Sequence, residues 1–161
     1  ARLTLLLQQG FIIVVVFTTC DGVEHGLQRV DDDAARNLQP PDLQGWNRQL
    51  HNVRLFHQLT YNTDFRNIRN VLYDPDFRVH LVDSSRAFRI QRSLLVPDDI
   101  VCVSRSALER LKALDRPTVE KRLSPWLGKM QIAGLLARRD VLLALLDARI
   151  KERGEAAVLL P

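Results

Sequence analysis

Apolar and polar positions divide the chain into a strand-like start, an amphipathic helix, a polar loop with two short apolar runs, and a second half of helical period. From Leu3 to Phe17 the residues are mostly apolar, interrupted by Gln8, Gln9 and Gly10. The run is shorter than the ~18–20 apolar residues that a membrane-spanning helix needs, so no span is expected. The pattern predicts the end of a helix over Leu3–Gln9, a stop at Gly10 and a buried β-branched strand over Phe11–Thr18, with a turn at Asp21-Gly22. A secretory leader is the competing reading, with Arg2 ahead of the apolar run and Thr18-Thr19-Cys20 as a cleavage site. The Gln-Gln-Gly interruption weighs against it.

Residues 31–41 have loop composition, with three acids, Asn37 and Pro40-Pro41. Asp42 then predicts the N-cap of a helix whose apolar face is Leu43, Trp46, Leu50, Val53 and Phe56. A polar stretch, Asn62 to Asn70, precedes the apolar runs Val71-Leu72-Tyr73 and Val79 to Val82; Asp74-Pro75-Asp76 between them predicts a hairpin turn. After Pro97 the pattern is helical. Ser106 to Glu109 fits a capping box ahead of Leu108, Leu111 and Leu114, and Ser124-Pro125 reads as a second N-cap. A last helix is expected from Asp140 to about Glu152, presenting Leu142, Leu143, Leu146 and Ile150, with Arg153-Gly154 as its C-cap. Trp46 and Trp126 are expected in the core. The order of elements predicts one α+β domain, mostly α.

Composition narrows the chemistry. A chain of 161 residues is long enough for a self-sufficient core. The net charge of +4 is too small for a strongly polybasic nucleic-acid protein. The 23 basic residues include only four lysines, Lys112, Lys121, Lys129 and Lys151, so no early lysine can serve a Schiff base or a nucleotide clamp. The seven glycines form neither G-x-G-x-x-G nor G-x-x-x-x-G-K-[ST], which excludes Rossmann and P-loop sites at motif level. Cys20 and Cys102 are far apart and form no C-x-x-C, arguing against a zinc ribbon or a disulfide scaffold and mildly for a reducing, cytoplasmic setting. His25, His51, His57 and His80 form no i, i+4 ligand pair; on a helix His51 and His57 point about 240° apart, so no zinc site is expected.

The chemistry-bearing residues gather between Tyr61 and Arg89. Asp64 and Asn70 flank the polar loop, and Asp83 ends the second apolar run. Phosphoryl transfer asks for a carboxylate to orient an acceptor hydroxyl, and for an amide oxygen with a second carboxylate to hold magnesium on the phosphates. The plainer alternative is that Asp64 and Asn70 are turn residues and that Asp83 caps the segment leading into Arg86.

Asn62-Thr63-Asp64, then Arg66-Asn67 with Asn70, then Val82-Asp83-Ser84-Ser85-Arg86-Ala87-Phe88-Arg89 resemble the catalytic half of bacterial kinase-like proteins. These are related to the phosphatidylinositol 3/4-kinase, HipA and secretory-pathway kinase branch of the protein-kinase-like superfamily. The usual pattern there is N-T-D-R-N-x-G-N followed by a strand ending I-D-x-[ST]-R-A-F. Gly10–Val16, Asp21–Gln28 and Leu135–Asp140 resemble the same family more loosely. The resemblance implies a kinase-like C-lobe over 42–161 and an N-lobe remnant and linker over 1–41, in a single domain that is N-terminally truncated. It implies Asp64 as the catalytic residue, Asn70 and Asp83 as magnesium and nucleotide ligands, and Mg2+ and ATP as cofactors. The chain differs from the pattern in the extra Phe65, in Arg69 where the family has glycine, and in having no lysine ahead of Asp64.

The expected function is therefore ATP- and magnesium-dependent phosphoryl transfer to an unidentified hydroxyl acceptor, incomplete or inactive in this chain. The alternatives are a non-catalytic pseudokinase binding module or a small helical nucleic-acid or protein interaction domain. Arg66, Arg69, Arg78, Arg86, Arg89 and Arg92 crowd the same region and suit an acidic or phosphorylated partner. They read equally as a solvated rim with one structural ion pair, for which Arg86 is the natural member. No aromatic-interleaved basic stripe accompanies them, so nucleic-acid binding is not favoured.

Overall fold

A computed structural model describes residues 28–29 and 39–161. The expected Leu3–Gln9 helix end, Gly10 stop, Phe11–Thr18 strand, Asp21-Gly22 turn and nearly all of the 31–41 loop lie outside the described residues, as do Cys20 and His25. The elements run β1 (Gln28–Arg29), α1 (Leu43–Thr60), a 3-10 turn (Ile68–Asn70), β2 (Val71–Tyr73), β3 (Val79–Leu81) and a second 3-10 turn (Pro97–Asp99). They continue with β4 (Val103–Ser104), α2 (Arg105–Lys112), α3 (Arg116–Leu123), α4 (Lys129–Arg153), α5 (Glu155–Val158) and β5 (Leu159–Leu160). The class is α+β, mostly helical, as expected. Among the described residues no helix is long and apolar enough to cross a membrane.

Asp42 caps α1 as its position predicts, its Oδ1 accepting the Gly45 N–H at 2.8 Å. The buried face differs from the expected one. Trp46 and Phe56 are buried, joined by Leu55 and Leu59, whereas Leu43 lies exposed in the first turn. Leu50 and Val53 are only half-buried because they face a cavity instead of packed core. The helix ends where Tyr61 turns left-handed (φ 52°) and donates its N–H back to the Gln58 and His57 carbonyls.

The hairpin forms as expected, β2 and β3 pairing antiparallel with Val71 opposite Leu81 and Tyr73 opposite Val79. β1 extends it to three strands, Gln28 pairing with Tyr73. Asp74 builds the turn, its Oδ1 accepting the Asp76 and Arg78 N–H groups at 3.0 and 2.9 Å. Phe77 then stacks on Tyr73 while Trp46 of α1 meets both rings edge-on. Gln49 of α1 locks the hairpin further, donating to the Phe77 carbonyl at 2.9 Å and accepting the Val79 N–H at 2.8 Å.

The second half departs from expectation at its boundaries. It is not wholly helical: β4 and β5 pair in parallel, Val103 with Leu159 and Ser104 with Leu160. Ser104, not Ser106, caps α2, accepting the Ala107 N–H at 3.0 Å, and Glu109 bonds Lys112 instead of closing a box. Leu108 and Leu111 are buried as expected. Ser124 ends a helix instead of starting one, donating its N–H to the Glu120 carbonyl; α3 is capped by Asp115, with Pro117 in its first turn. Because no helix starts at Ser124, no apolar face carries Trp126 inward, and its ring is half exposed. The last helix begins at Lys129 instead of Asp140. Ile132, Leu135 and Leu136 extend the buried stripe of Leu142 and Leu146 through a basic stretch that looks like a boundary in sequence. Gly154 (φ 84°) closes it as expected.

That basic stretch hides the residue that organises the molecule. Arg138 has no exposed surface. Its Nε donates to the Leu59 carbonyl at 2.7 Å, and its Nη1 to the carbonyls of Arg89, at 2.9 Å, and Gln91. Leu59 sits in the last turn of α1, where the negative end of the helix dipole compensates a buried cation. Burial lowers the Arg138 pKa to about 10, which leaves it charged at neutral pH. One turn earlier, a Cβ at Gly134 would lie 2.8 Å from the Ile90 carbonyl oxygen. Only glycine lets the 89–91 segment lie flat on α4.

Two outcomes follow for stability in urea. Arg138→Leu strands three carbonyls and loses about 3 kcal/mol. Gly134→Ala loses about 1–3 kcal/mol from the close approach, although alanine is the better helix former. A stabilised Gly134→Ala variant would contradict the tight seating of the 89–91 segment.

Candidate functional site

The site grows from the end of α1. After Tyr61 the buried Asn62 turns the chain, its Oδ1 accepting the Asp64 N–H at 3.1 Å and its Nδ2 donating to His57 Nδ1 at 3.2 Å. Successive tight turns follow: Phe65 N–H donates to the Asn62 carbonyl, Asn67 N–H to that of Asp64, and Asn70 N–H to that of Asn67. They wrap the loop around the Asp64 carboxylate. Its Oδ2 accepts from Asn70 Nδ2 at 3.0 Å and from Asn67 Nδ2 at 3.3 Å, and Arg86 Nη1 stands 3.8 Å from its Oδ1.

Asp64 and Asn70, six residues apart, are thus in direct contact. Asp83 is brought near by the backbone: the Val82 N–H donates to the Asn70 carbonyl at 2.9 Å, so the end of β3 lies against the loop. Asp83 itself is exposed and left-handed (φ 49°), a conformation that aspartate tolerates. Its Oδ1 accepts from Ser85 Oγ at 2.7 Å and from the Ser85 N–H at 3.4 Å. No hydrogen bond or ion pair joins Asp83 to Asp64 or Asn70 among the described residues. The plainer expectation, Asp64 and Asn70 as turn residues and Asp83 as the cap of the segment leading into Arg86, also describes this local bonding.

The same bonds decide which atoms remain for a cation. Asn70 spends its amide nitrogen on Asp64, which leaves Oδ1 to accept; Asp83 keeps Oδ2. An amide oxygen and a carboxylate oxygen are hard donors of the kind magnesium takes, one or two from protein and the rest from phosphate and water. The donor set fits that ion. Among the described residues no group of three or more His, Cys, Asp or Glu could hold a metal, so a closed protein cage is not on offer.

The arginines form mainly an exposed rim. Arg86 pairs with Asp64, Arg78 with Asp76, Arg89 Nε donates to the Arg86 carbonyl, and Arg66 lies over the Phe65 ring. Phe65 is half-buried and lines the cavity beside α1.

Sequence reasoning passed over His57 and Arg138. His57 is buried and neutral, its pKa lowered to about 4 by burial against an opposing pull from Asp64. The pattern Asn62-x-Asp64 five residues after His57 carries the signal for the first. Arg138 at the spacing of Leu135 and Leu142 carries it for the second.

The unfolded chain binds a proton at His57 below pH 6.5, and the folded chain binds it only near pH 4. Stability from His57 is therefore complete above about pH 6.5 and falls as the pH drops towards 4. In urea titrations wild type loses more stability than His57→Gln, which keeps an acceptor for Asn62, between pH 7 and 5. Parallel curves for the two proteins would contradict the neutral buried imidazole.

Compared with protein-family models, curated proteins and solved structures, the chain finds no match.

Proposed function

We propose that this domain is a kinase-like phosphotransferase module of the C-lobe type, built to hold a magnesium–nucleotide complex beside Asp64 and to direct phosphoryl transfer to a hydroxyl acceptor. The observation that carries the proposal is the Asn70 Nδ2 to Asp64 Oδ2 hydrogen bond, with the end of β3 bonded to the same asparagine. Turn and hairpin bonding accounts for each contact taken singly; what supports the proposal is that they gather a carboxylate able to accept a proton and two oxygen-bearing side chains at one end of the hairpin, the set that phosphoryl transfer uses.

In this reading Asn67 and Asn70 hold Oδ2 of Asp64, so Oδ1 is the atom that faces an acceptor hydroxyl, orients it and takes its proton. Asn70 Oδ1 and Asp83 Oδ2 would hold magnesium. The metal–nucleotide complex supplies the transferable phosphoryl group and neutralises its charge. Arg86, close to Asp64 Oδ1 and largely exposed, is placed to meet phosphate oxygens with its guanidinium fork.

One observation favours a second reading, nucleotide or anion binding without turnover. Residues 1–111 contain no lysine, so none of them offers an ammonium clamp for the phosphates, and Arg86 is already paired with Asp64.

Thermal unfolding with Mg-ATP tests both. Saturating Mg-ATP raises the midpoint by a few degrees, about 2–3 kcal/mol at a hundredfold excess over Kd, and ATP with EDTA does not. Asn70→Ala and Asp83→Ala abolish the shift, while Asp64→Asn retains it and removes any phosphoryl transfer. No metal-dependent shift, with Asp83→Ala indistinguishable from wild type, would overturn the proposal.

A further inference from the structure

A cavity of about 310 Å³ lies beside α1, with His57 and Phe65 of its lining adjoining the loop that carries Asp64. Leu50, Val53, Phe65 and Val71 give it apolar walls. Its polar lining is one-sided. Arg54 and Arg66 both contribute, against the single carboxylate of Asp99. Arg54 bonds only the His51 ring at 3.3 Å and Arg66 lies over Phe65, so neither pairs with a carboxylate among the described residues.

Two buried side chains add donors to the same wall. Gln58, with 1% of its surface exposed, accepts the Leu95 and Val96 N–H groups on Oε1 at 2.9 and 3.0 Å. Those two bonds fix which end of the amide is oxygen, and its Nε2 donates to nothing among the described residues. His57, 6% exposed, accepts from Asn62 on Nδ1, which leaves its Nε2 as an N–H without a partner among the described residues. Both donors open onto the cavity, which also carries two guanidinium groups without a carboxylate partner among the described residues.

We propose that this cavity binds a small organic anion: a compact oxyanion head, carboxylate or phosphate monoester, on a one-ring apolar body. The head meets the guanidinium groups and the Gln58 and His57 N–H donors, and the ring meets the apolar walls. The volume is at the small end of ligand pockets, roughly 300–1,000 Å³, which suits one ring and not a nucleotide. The assignment uses neither Asp64 nor Asn70 and stands or falls apart from the phosphoryl-transfer proposal.

Titration of the ¹⁵N-labelled full chain with benzoate and with phenyl phosphate tests it, with benzyl alcohol and inorganic phosphate as the body-only and head-only probes. At least one of the two anions shifts the Gln58 side-chain NH2 and His57 ring resonances saturably, and the tighter of them identifies the head. Benzyl alcohol and inorganic phosphate each bind about tenfold more weakly or less. Replacing both exposed cations, Arg54→Gln with Arg66→Gln, weakens the anion about tenfold while the thermal midpoint stays within a few degrees. Val53→Trp, which fills the cavity, removes binding. The proposal is overturned if neither anion gives a saturable shift at these resonances, if benzyl alcohol binds as tightly, or if the paired arginine replacements leave affinity unchanged.

Discussion

Everything near the candidate site hangs from a guanidinium group. Arg138 reaches from the middle of α4 to three backbone carbonyls, one at the end of α1 and two in the segment after Arg86. Those two places bracket the site: the chain leaves α1 into the Asp64 loop, and it reaches the Arg89–Gln91 segment from Asp83. Holding both on one rigid helix fixes the distance between the two carboxylate-bearing loops. The Phe88 and Arg89 N–H groups, both donated to the Thr60 carbonyl, tighten the same junction, and Gly134 provides the space for it. A buried cation needs compensation; here it comes from carbonyl dipoles and a helix C-terminus instead of a counter-charge.

The scarcity of lysine acquires a structural side. Arg139 donates to the Leu114 carbonyl and Arg149 to the Pro97 carbonyl at 3.1 Å, so three arginines of one helix grip three different connections. A planar fork can bond several carbonyls from a buried position, and an ammonium group is far more strongly hydrated. The arginines around Asp64 differ in kind: they stand at the surface, and their pairings are exposed. Structural arginines therefore point inward from α4, and the rim arginines are those left to meet anions.

Local chemistry was legible in the sequence, and long-range packing was not. Asp42, the Asp74-Pro75-Asp76 turn and Gly154 each act through bonds to their own neighbours or through their own backbone angles, and each does what its residue type predicts. The start of α2 was misplaced because Ser104 and Ser106 are both good caps two residues apart; α3 went unread because its cap, Asp115, lies ahead of a short helix with little apolar pattern, which Ser124 ends instead of starting another. Arg138-Arg139-Asp140 reads as a surface boundary, since nothing local reveals that Arg138 finds its acceptors at Leu59 and Arg89. By spacing alone Asp64 and Asn70 read as turn residues, and nothing in that spacing shows that their side chains meet; Asp83 is brought near because the Val82–Asn70 bond continues the hairpin that the Asp74-Pro75-Asp76 turn announces.

Manganese, a paramagnetic stand-in for magnesium, tests most directly whether these loops make one cation site. In ¹H–¹⁵N spectra of the nucleotide-loaded chain, substoichiometric Mn2+ should broaden the amides of Asp64, Asn70 and Asp83 together, ahead of those near exposed acids such as Glu109 and Asp147. Broadening confined to one of the two loops, or spread evenly over the surface acids, would contradict the account.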